Sequence, residues 1–123
     1  MDGDNSTAVG YQALYSQEPA SNVDMYNVMV GHTAGYGLTT GIRNVGVGAS
    51  VLQGAVTGND NTAMGHAALA ANTSGGEQTA VGSLALDANT TGTENTAFGF
   101  SALTSNTTGN SNTALGRKTL FTN

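Results

Sequence analysis

The chain has 123 residues, a net charge of −5 and 18 glycines, and only 9% of its residues are charged. Its basic residues are Arg43, Arg117 and Lys118, so the clustered positive charge that nucleic-acid binding requires is missing. The sequence contains no apolar run long enough for membrane insertion and no cysteine for a disulfide framework.

A short unit recurs along the chain. Its clearest copy, residues 95–103, reads Asn-Thr-Ala-Phe-Gly-Phe-Ser-Ala-Leu. Successive central glycines are 17 residues apart, except for a first interval of 21. These glycines are Gly10, Gly31, Gly48, Gly65, Gly82, Gly99 and Gly116. A fixed period of this kind predicts a stacked-repeat architecture.

Each copy predicts one short β-strand just before its central glycine. Period-two alternation and β-branched residues are typical of strands, and a polar turn completes each coil. We therefore predict an all-β fold: one domain, residues 1–123, forming a parallel β-solenoid or β-roll of about seven 17-residue coils. We expect large residues such as Phe98 and Leu103 to fill the coil, and Ala97 and Gly99 to face a neighbouring chain.

Along the chain, the regular pattern is first interrupted in the long interval. Its four extra residues (21 − 17) predict a loop insertion at about residues 15–26. In the second coil Gly35 replaces the leucine found four residues after the other central glycines. The last residue, Asn123, falls in the column of Asn106, so we expect a segment of a longer fibre.

A single thin coil stack buries little apolar surface relative to the entropy of ordering its chain. The Ala/Gly face offers a remedy, because three such faces can meet closely around an axis. The predicted partner is therefore the chain itself, as a parallel homotrimer.

The residues Asn61-Thr62-Ala63-Met64-Gly65 resemble the Asn-Ser-Val-Ala-Ile-Gly repeat of trimeric autotransporter adhesin heads. The longer pattern, which ends in Asn-Thr-Thr-Gly, is similar to repeats of bacteriophage tail-fibre and tailspike proteins. This resemblance implies a left-handed parallel β-roll, a homotrimer, and a location on a virion surface or a bacterial cell surface. It also implies recognition of a host cell-surface glycan or protein.

Metal and catalytic chemistry find little support in the sequence. The candidate metal ligands are Asp60, Glu77, Glu94, His32 and His66. The acidic residues lie on successive coils without a calcium-loop motif, so we predict no cofactor, with calcium as the alternative. No third partner stands beside His66 for nucleophilic catalysis, and a rod offers no cleft for two carboxylates. We predict that the protein is not an enzyme.

The loop and its neighbouring aromatics are the predicted ligand-binding residues: Tyr15, Glu18, Met25, Tyr26 and Tyr36. Tyrosines combine an apolar face with a polar tip, which suits sugars and protein contacts. The predicted function is a structural and host-recognition segment of a viral tail fibre or surface adhesin. The alternatives are a pure spacer rod, an ice-binding solenoid and a tailspike-type glycan hydrolase. Ice binding is disfavoured here because Thr62, Thr79, Thr96 and Thr113 are expected to point inward.

Overall fold

A computed structural model describes residues 5–18 and 23–122. Seven strands of three residues each form one parallel sheet in chain order. They are β1 (Thr7–Val9), β2 (Val28–Val30), β3 (Val45–Val47), β4 (Thr62–Met64), β5 (Thr79–Val81), β6 (Thr96–Phe98) and β7 (Thr113–Leu115). Each strand pairs in register with the equivalent residues of the next coil, as Thr62 does with Thr79. The predicted all-β parallel solenoid is confirmed.

The direction of the strand side chains is the reverse of the prediction. The middle residue of each strand from β2 to β7 is buried, and Ala63, Ala80 and Ala97 are fully so. The flanking large residues face outward, so Phe98 is 50% exposed and Leu115 is 75% exposed. The threonine column also faces outward, because Thr62, Thr79, Thr96 and Thr113 are exposed or half-exposed.

A narrow interior explains this reversal. The leucine four residues after the central glycine is fully buried, as predicted, at Leu52, Leu69, Leu86 and Leu103. These leucines share one core with the strand alanines. With a leucine filling each coil, the facing strand position has room for little more than a methyl group. The Ala face is therefore enclosed by its own chain and is not open to a neighbouring one.

Left-handed backbone forms the corners of every coil. In the fourth coil Ala67, Leu69 and Glu77 have φ values of 56°, 53° and 57°. This conformation costs roughly 1–2 kcal/mol for a residue with a Cβ, and the buried leucines offset that cost by their packing. The corners are thus built by ordinary residues held in place by the stack.

The central glycines cannot be replaced by larger residues, because of contacts within their own chain. Gly82 has a φ of 134°, and a Cβ there would lie 2.5 Å from the carbonyl oxygen of Gly99. The same close contact recurs between the glycines of successive coils down to Gly99, where a Cβ would lie 2.5 Å from the oxygen of Gly116. The expectation that Gly99 stays small for a neighbouring chain is therefore wrong.

Two columns of buried amides link the coils. In the first column the Oδ1 of Asn44 accepts both the backbone N–H and the side-chain Nδ2 of Asn61, each at 2.9 Å. In the second column Asn106 donates from Nδ2 to the Oδ1 of Asn89 at 3.0 Å. Because buried polar groups are costly unless paired, these ladders satisfy the polar interior and fix the register.

Irregular residues of the second coil compensate one another in the core. Met29 replaces the usual strand alanine and is fully buried. A Cβ at Gly35 would lie 2.9 Å from the Met29 Cγ, and a Cβ at Gly46 would lie 2.5 Å from its sulfur. Met29 therefore occupies the space that a leucine at position 35 and an alanine at position 46 would otherwise share. This departure from the repeat has a packing explanation.

The regular register extends further into the long interval than the sequence suggested. Tyr36 accepts a backbone hydrogen bond from Ser16, and Thr39 accepts one from Glu18, both at 3.1 Å. The regular spacing resumes where Arg43 donates to the Met25 carbonyl at 2.7 Å. The four extra residues therefore fall between Glu18 and Met25. Most of that segment, residues 19–22, lies outside the described part of the chain.

Candidate ligand-binding surface

The structure brings two of the predicted ligand-binding tyrosines together on the surface. Tyr15 and Tyr36 occupy the same position in successive coils, the fifth residue after the central glycine. Their rings stack with centroids 5.2 Å apart and planes 2° from parallel. Tyr15 is 65% exposed, so its ring is accessible.

The other predicted residues lie in different environments. Glu18 is exposed, and its backbone N–H is anchored to Thr39. Met25 is only 1% exposed, so its side chain is not available on the surface. Tyr26 is exposed, and its hydroxyl donates to the Asp24 carboxylate at 2.9 Å. That hydrogen bond and the negative charge of Asp24 raise the pKa of Tyr26.

A second aromatic pair lies on the same two coils. Tyr11 is not a site residue predicted from the sequence, and His32 is predicted only as a candidate metal ligand. Tyr11 and His32 each follow a central glycine, and their rings stack with centroids 5.3 Å apart and planes 21° from parallel. Tyr11 is 66% exposed. The signal was present in the sequence, because the 21-residue first interval places these two residues in one column. We call the four residues Tyr11, Tyr15, His32 and Tyr36 the aromatic surface.

Polar side chains lie beside this surface. Thr33 is 8% exposed and donates from its hydroxyl to the His32 carbonyl at 2.8 Å. The same hydroxyl accepts a hydrogen bond from Gln53 Nε2 at 3.4 Å and lies 3.4 Å from both His32 Nδ1 and Ser50 Oγ. The threonine hydroxyl therefore connects an aromatic residue to an amide of the third coil.

The candidate metal ligands are not brought together. Asp60 is bound by Arg43, whose Nε and Nη2 donate to the two carboxylate oxygens at 2.7 Å each. These hydrogen bonds lower the pKa of Asp60, and both side chains remain substantially exposed. Glu94 accepts a hydrogen bond from Ser111 at 3.2 Å. Across the described ranges, no three His, Asp or Glu side chains are close enough to hold a metal ion.

A polar concavity of about 320 Å³ lies at the last turn, lined by Asn106, Asn112 and neighbouring residues. Elsewhere the equivalent turn is covered by the next coil, as when Thr90 donates to the Thr107 carbonyl. The concavity is therefore a turn on which no further coil lies, and its lining matches the turns that begin at Asn72 and Asn89.

No family model, curated protein or solved structure matches the chain. Residues 5–18 and 23–122 include no helix of the length and hydrophobicity needed to cross a membrane.

Proposed function

We propose that the chain is a segment of a rigid homotrimeric surface fibre, of the viral tail-fibre or bacterial adhesin kind, that takes part in recognising a host surface. The observation that supports this proposal best is the outer face of the sheet. The third residue of every strand is apolar and is exposed or half-exposed, from Val9 through Met64 to Leu115. An extended apolar surface of this kind usually marks a protein contact.

The chemistry of the sheet's outer face favours other copies of the same chain as its occupant. We define the strand face as the first and third residues of β1–β7, and none of them is charged. A partner therefore needs an uncharged, apolar surface of similar length. The same face of further copies meets that requirement, and a closed ring buries all of them equally. We therefore assign the trimer contact to the strand face, because the Ala/Gly face predicted from the sequence is enclosed by its own chain.

The oligomer is tested by light scattering on the eluting protein, comparing two substitutions in one coil. We expect the wild-type mass to be three times that of the chain. Met64→Lys places a charge on the strand face and should reduce the mass to that of a monomer. His66→Lys, two residues away and also exposed, should leave the trimer intact. A monomeric wild type refutes the trimer, and a trimeric Met64→Lys with a wild-type circular dichroism spectrum refutes the strand face.

Host recognition is tested with the labelled protein on a panel of bacterial cells. Deleting residues 19–22 restores the 17-residue interval and removes the departure in chain length. A receptor-binding segment should label some of these cells, and the deletion variant shows whether the four extra residues contribute to that labelling. A pure spacer rod, the main rival, predicts that neither the wild type nor the deletion variant labels any cell.

Ice binding is a second candidate, because the threonine column faces outward. Thr62, Thr79 and Thr96 pair in register on the exposed side of the sheet, which gives the evenly spaced hydroxyls that ice binding uses. The adjacent column varies from Val81 to Phe98 in size, so the surface is uneven. We therefore rank this candidate below the fibre. A thermal-hysteresis measurement tests ice binding. If ice grows at the equilibrium freezing point in the presence of the protein, the protein does not bind ice.

A further inference from the structure

The aromatic surface is not explained by the repeat. The first and fifth residues after the central glycine are both aromatic only in coils one and two among the seven coils. In the third, fourth and fifth coils at least one of the two positions carries a small or polar residue: Ala49, Gln53, Ala70, Ser83 and Asp87. The fold therefore tolerates small and polar residues at these positions, and packing does not demand a ring.

The rings of the aromatic surface are ordered and exposed or half-exposed. Tyr11 and Tyr15 are about two-thirds exposed, at 66% and 65%. Each stacks on an aromatic ring of the next coil, as shown by the near-parallel planes of Tyr15 and Tyr36. This stacking keeps the rings ordered, and His32, which has coils on both sides, is exposed as well. An ordered aromatic ring loses little conformational freedom when a ligand binds.

A β-branched residue, Thr33, has left-handed backbone beside the aromatic surface. Thr33 has a φ of 53°, a left-handed conformation that is a genuine outlier for a β-branched residue. The equivalent residues of the next two coils are Ser50 and Ala67, which are not β-branched. The Thr33 hydroxyl bonds to the His32 carbonyl and accepts from Gln53 Nε2, so it links the aromatic surface to an amide. The left-handed conformation itself recurs at this corner in every coil, so only the choice of threonine is particular to the second coil.

The charged residues near the aromatic surface indicate which class of ligand it can bind. Among the described residues, coils one and two carry the acidic residues Glu18 and Asp24 and no lysine or arginine. The nearest arginine, Arg43, is held by Asp60. Anionic ligands are therefore disfavoured, whereas neutral sugars fit. The apolar C–H face of a pyranose stacks on an aromatic ring, and its hydroxyls pair with amide and imidazole groups.

We infer that the aromatic surface, with Gln53 as hydrogen-bonding group and Thr33 as positioning residue, binds a pyranose unit of a neutral glycan. This inference rests on the proposed recognition of a host surface, and it names the chemical class of the receptor. Tyr11 and Tyr15 provide the stacking faces, while His32 and Gln53 provide polar contacts. Thr33 does not contact the sugar and acts by holding these two residues.

Binding is measured with the full chain against immobilised neutral oligosaccharides of gluco, galacto and manno configuration. We expect at least one to bind. Tyr11→Ala and Tyr15→Ala should each weaken that binding about tenfold, since each removes a stacking face. Phe100→Ala is the matched control, because Phe100 is exposed and occupies the column of Tyr11 in the sixth coil. Absence of binding to all three sugar series overturns the inference, and so does an equal loss in Phe100→Ala.

The role of Thr33 is tested by a pair of substitutions. Thr33→Val keeps the branched shape and removes the hydroxyl, so it should weaken binding. Thr33→Ser keeps the hydroxyl and should retain wild-type affinity. Equal affinity of the two variants overturns the positioning role.

Treated cells separate this inference from the proposed function. Periodate oxidation destroys sugar rings, whereas a protease removes surface protein. Loss of labelling after periodate alone supports a glycan receptor. Loss after protease alone keeps host recognition but overturns the glycan. Absence of labelling on every untreated cell refutes host recognition, while the oligosaccharide measurement still judges the sugar site.

Discussion

Replacing Gln78 by asparagine should raise the free energy of unfolding. Gln78 occupies a column that is otherwise asparagine in coils two to seven. It is 1% exposed, and its Oε1 is buried without a hydrogen-bond partner among the described residues. In the preceding coils the shorter Asn44 and Asn61 side chains accept the backbone N–H of the next coil through Oδ1. The longer glutamine cannot present its oxygen at that place.

The size of the effect follows from two opposing contributions. A buried acceptor without a partner costs roughly 1–3 kcal/mol, and the substitution removes that cost. The lost methylene group costs about 0.8 kcal/mol of apolar burial. The net gain is about 0.2–2 kcal/mol, which corresponds to a rise in the urea midpoint of roughly 0.1–1 M at a slope of about 2 kcal/mol per M.

The assay is urea unfolding followed by circular dichroism, at one fixed protein concentration because an oligomer makes the midpoint concentration-dependent. Asn61→Gln is the matched control, since it introduces the same methylene into an intact step of the ladder. It should lower the midpoint. The reasoning is refuted if Gln78→Asn is neutral or destabilising, or if both substitutions shift the midpoint in the same direction.

Three further predictions concern the core, the corners and one ion pair. Gly82→Ala should destabilise the fold by more than about 3 kcal/mol, because its Cβ would overlap the next coil's carbonyl oxygen; wild-type urea stability contradicts this. Met29→Ala should lower the free energy of unfolding by about 2–4 kcal/mol. Adding Gly35→Leu should recover most of that loss, although Gly35→Leu alone should destabilise the fold. Strictly additive effects in a double-mutant cycle contradict the idea that positions 29 and 35 share the same core space. Arg43→Gln should raise the Asp60 pKa in a carboxyl NMR titration, because the arginine hydrogen bonds lower it. A lowered folded pKa stabilises above the unfolded value of about 3.9, and that contribution disappears as pH falls through the folded pKa. The wild type should therefore lose this small advantage over Arg43→Gln only in acid; an unchanged Asp60 titration refutes the pairing.

The period and the buried leucine were predictable from sequence because both depend on regular spacing alone. One strand ends directly before each of the seven central glycines. A buried leucine, such as Leu69 or Leu86, recurs at one fixed position of the coil. Spacing does not say which face of a strand is inside. Alternation identified two faces at Thr96, Ala97 and Phe98, but size suggested the wrong one. The decisive fact is the space remaining beside a leucine within a 17-residue coil, which only the folded chain reveals.

The asparagine ladders and the ligand surface differ in how far the sequence reveals them. A recurring Asn-Thr-Thr-Gly turn suggests that Asn89 serves a local bend. Its amide does donate to the Gly92 carbonyl of that turn, and it also donates to Asn72 in the preceding coil. Partners that are 17 residues apart are visible only once the coils are stacked. The pairing of Tyr15 with Tyr36, in contrast, follows from the same register that aligns the central glycines. The pairing of Tyr11 with His32 follows from that register as well.

The amide ladders also give the rod an electric dipole along its axis. Every amide-to-amide bond donates from the later coil to the earlier one, as Asn61 does to Asn44 and Asn106 does to Asn89. The side-chain dipoles therefore add along the stack, with their positive ends toward β1. Each ladder is therefore directional. An asparagine whose amide was reversed would place donor against donor on one side and acceptor against acceptor on the other, and would lose both hydrogen bonds.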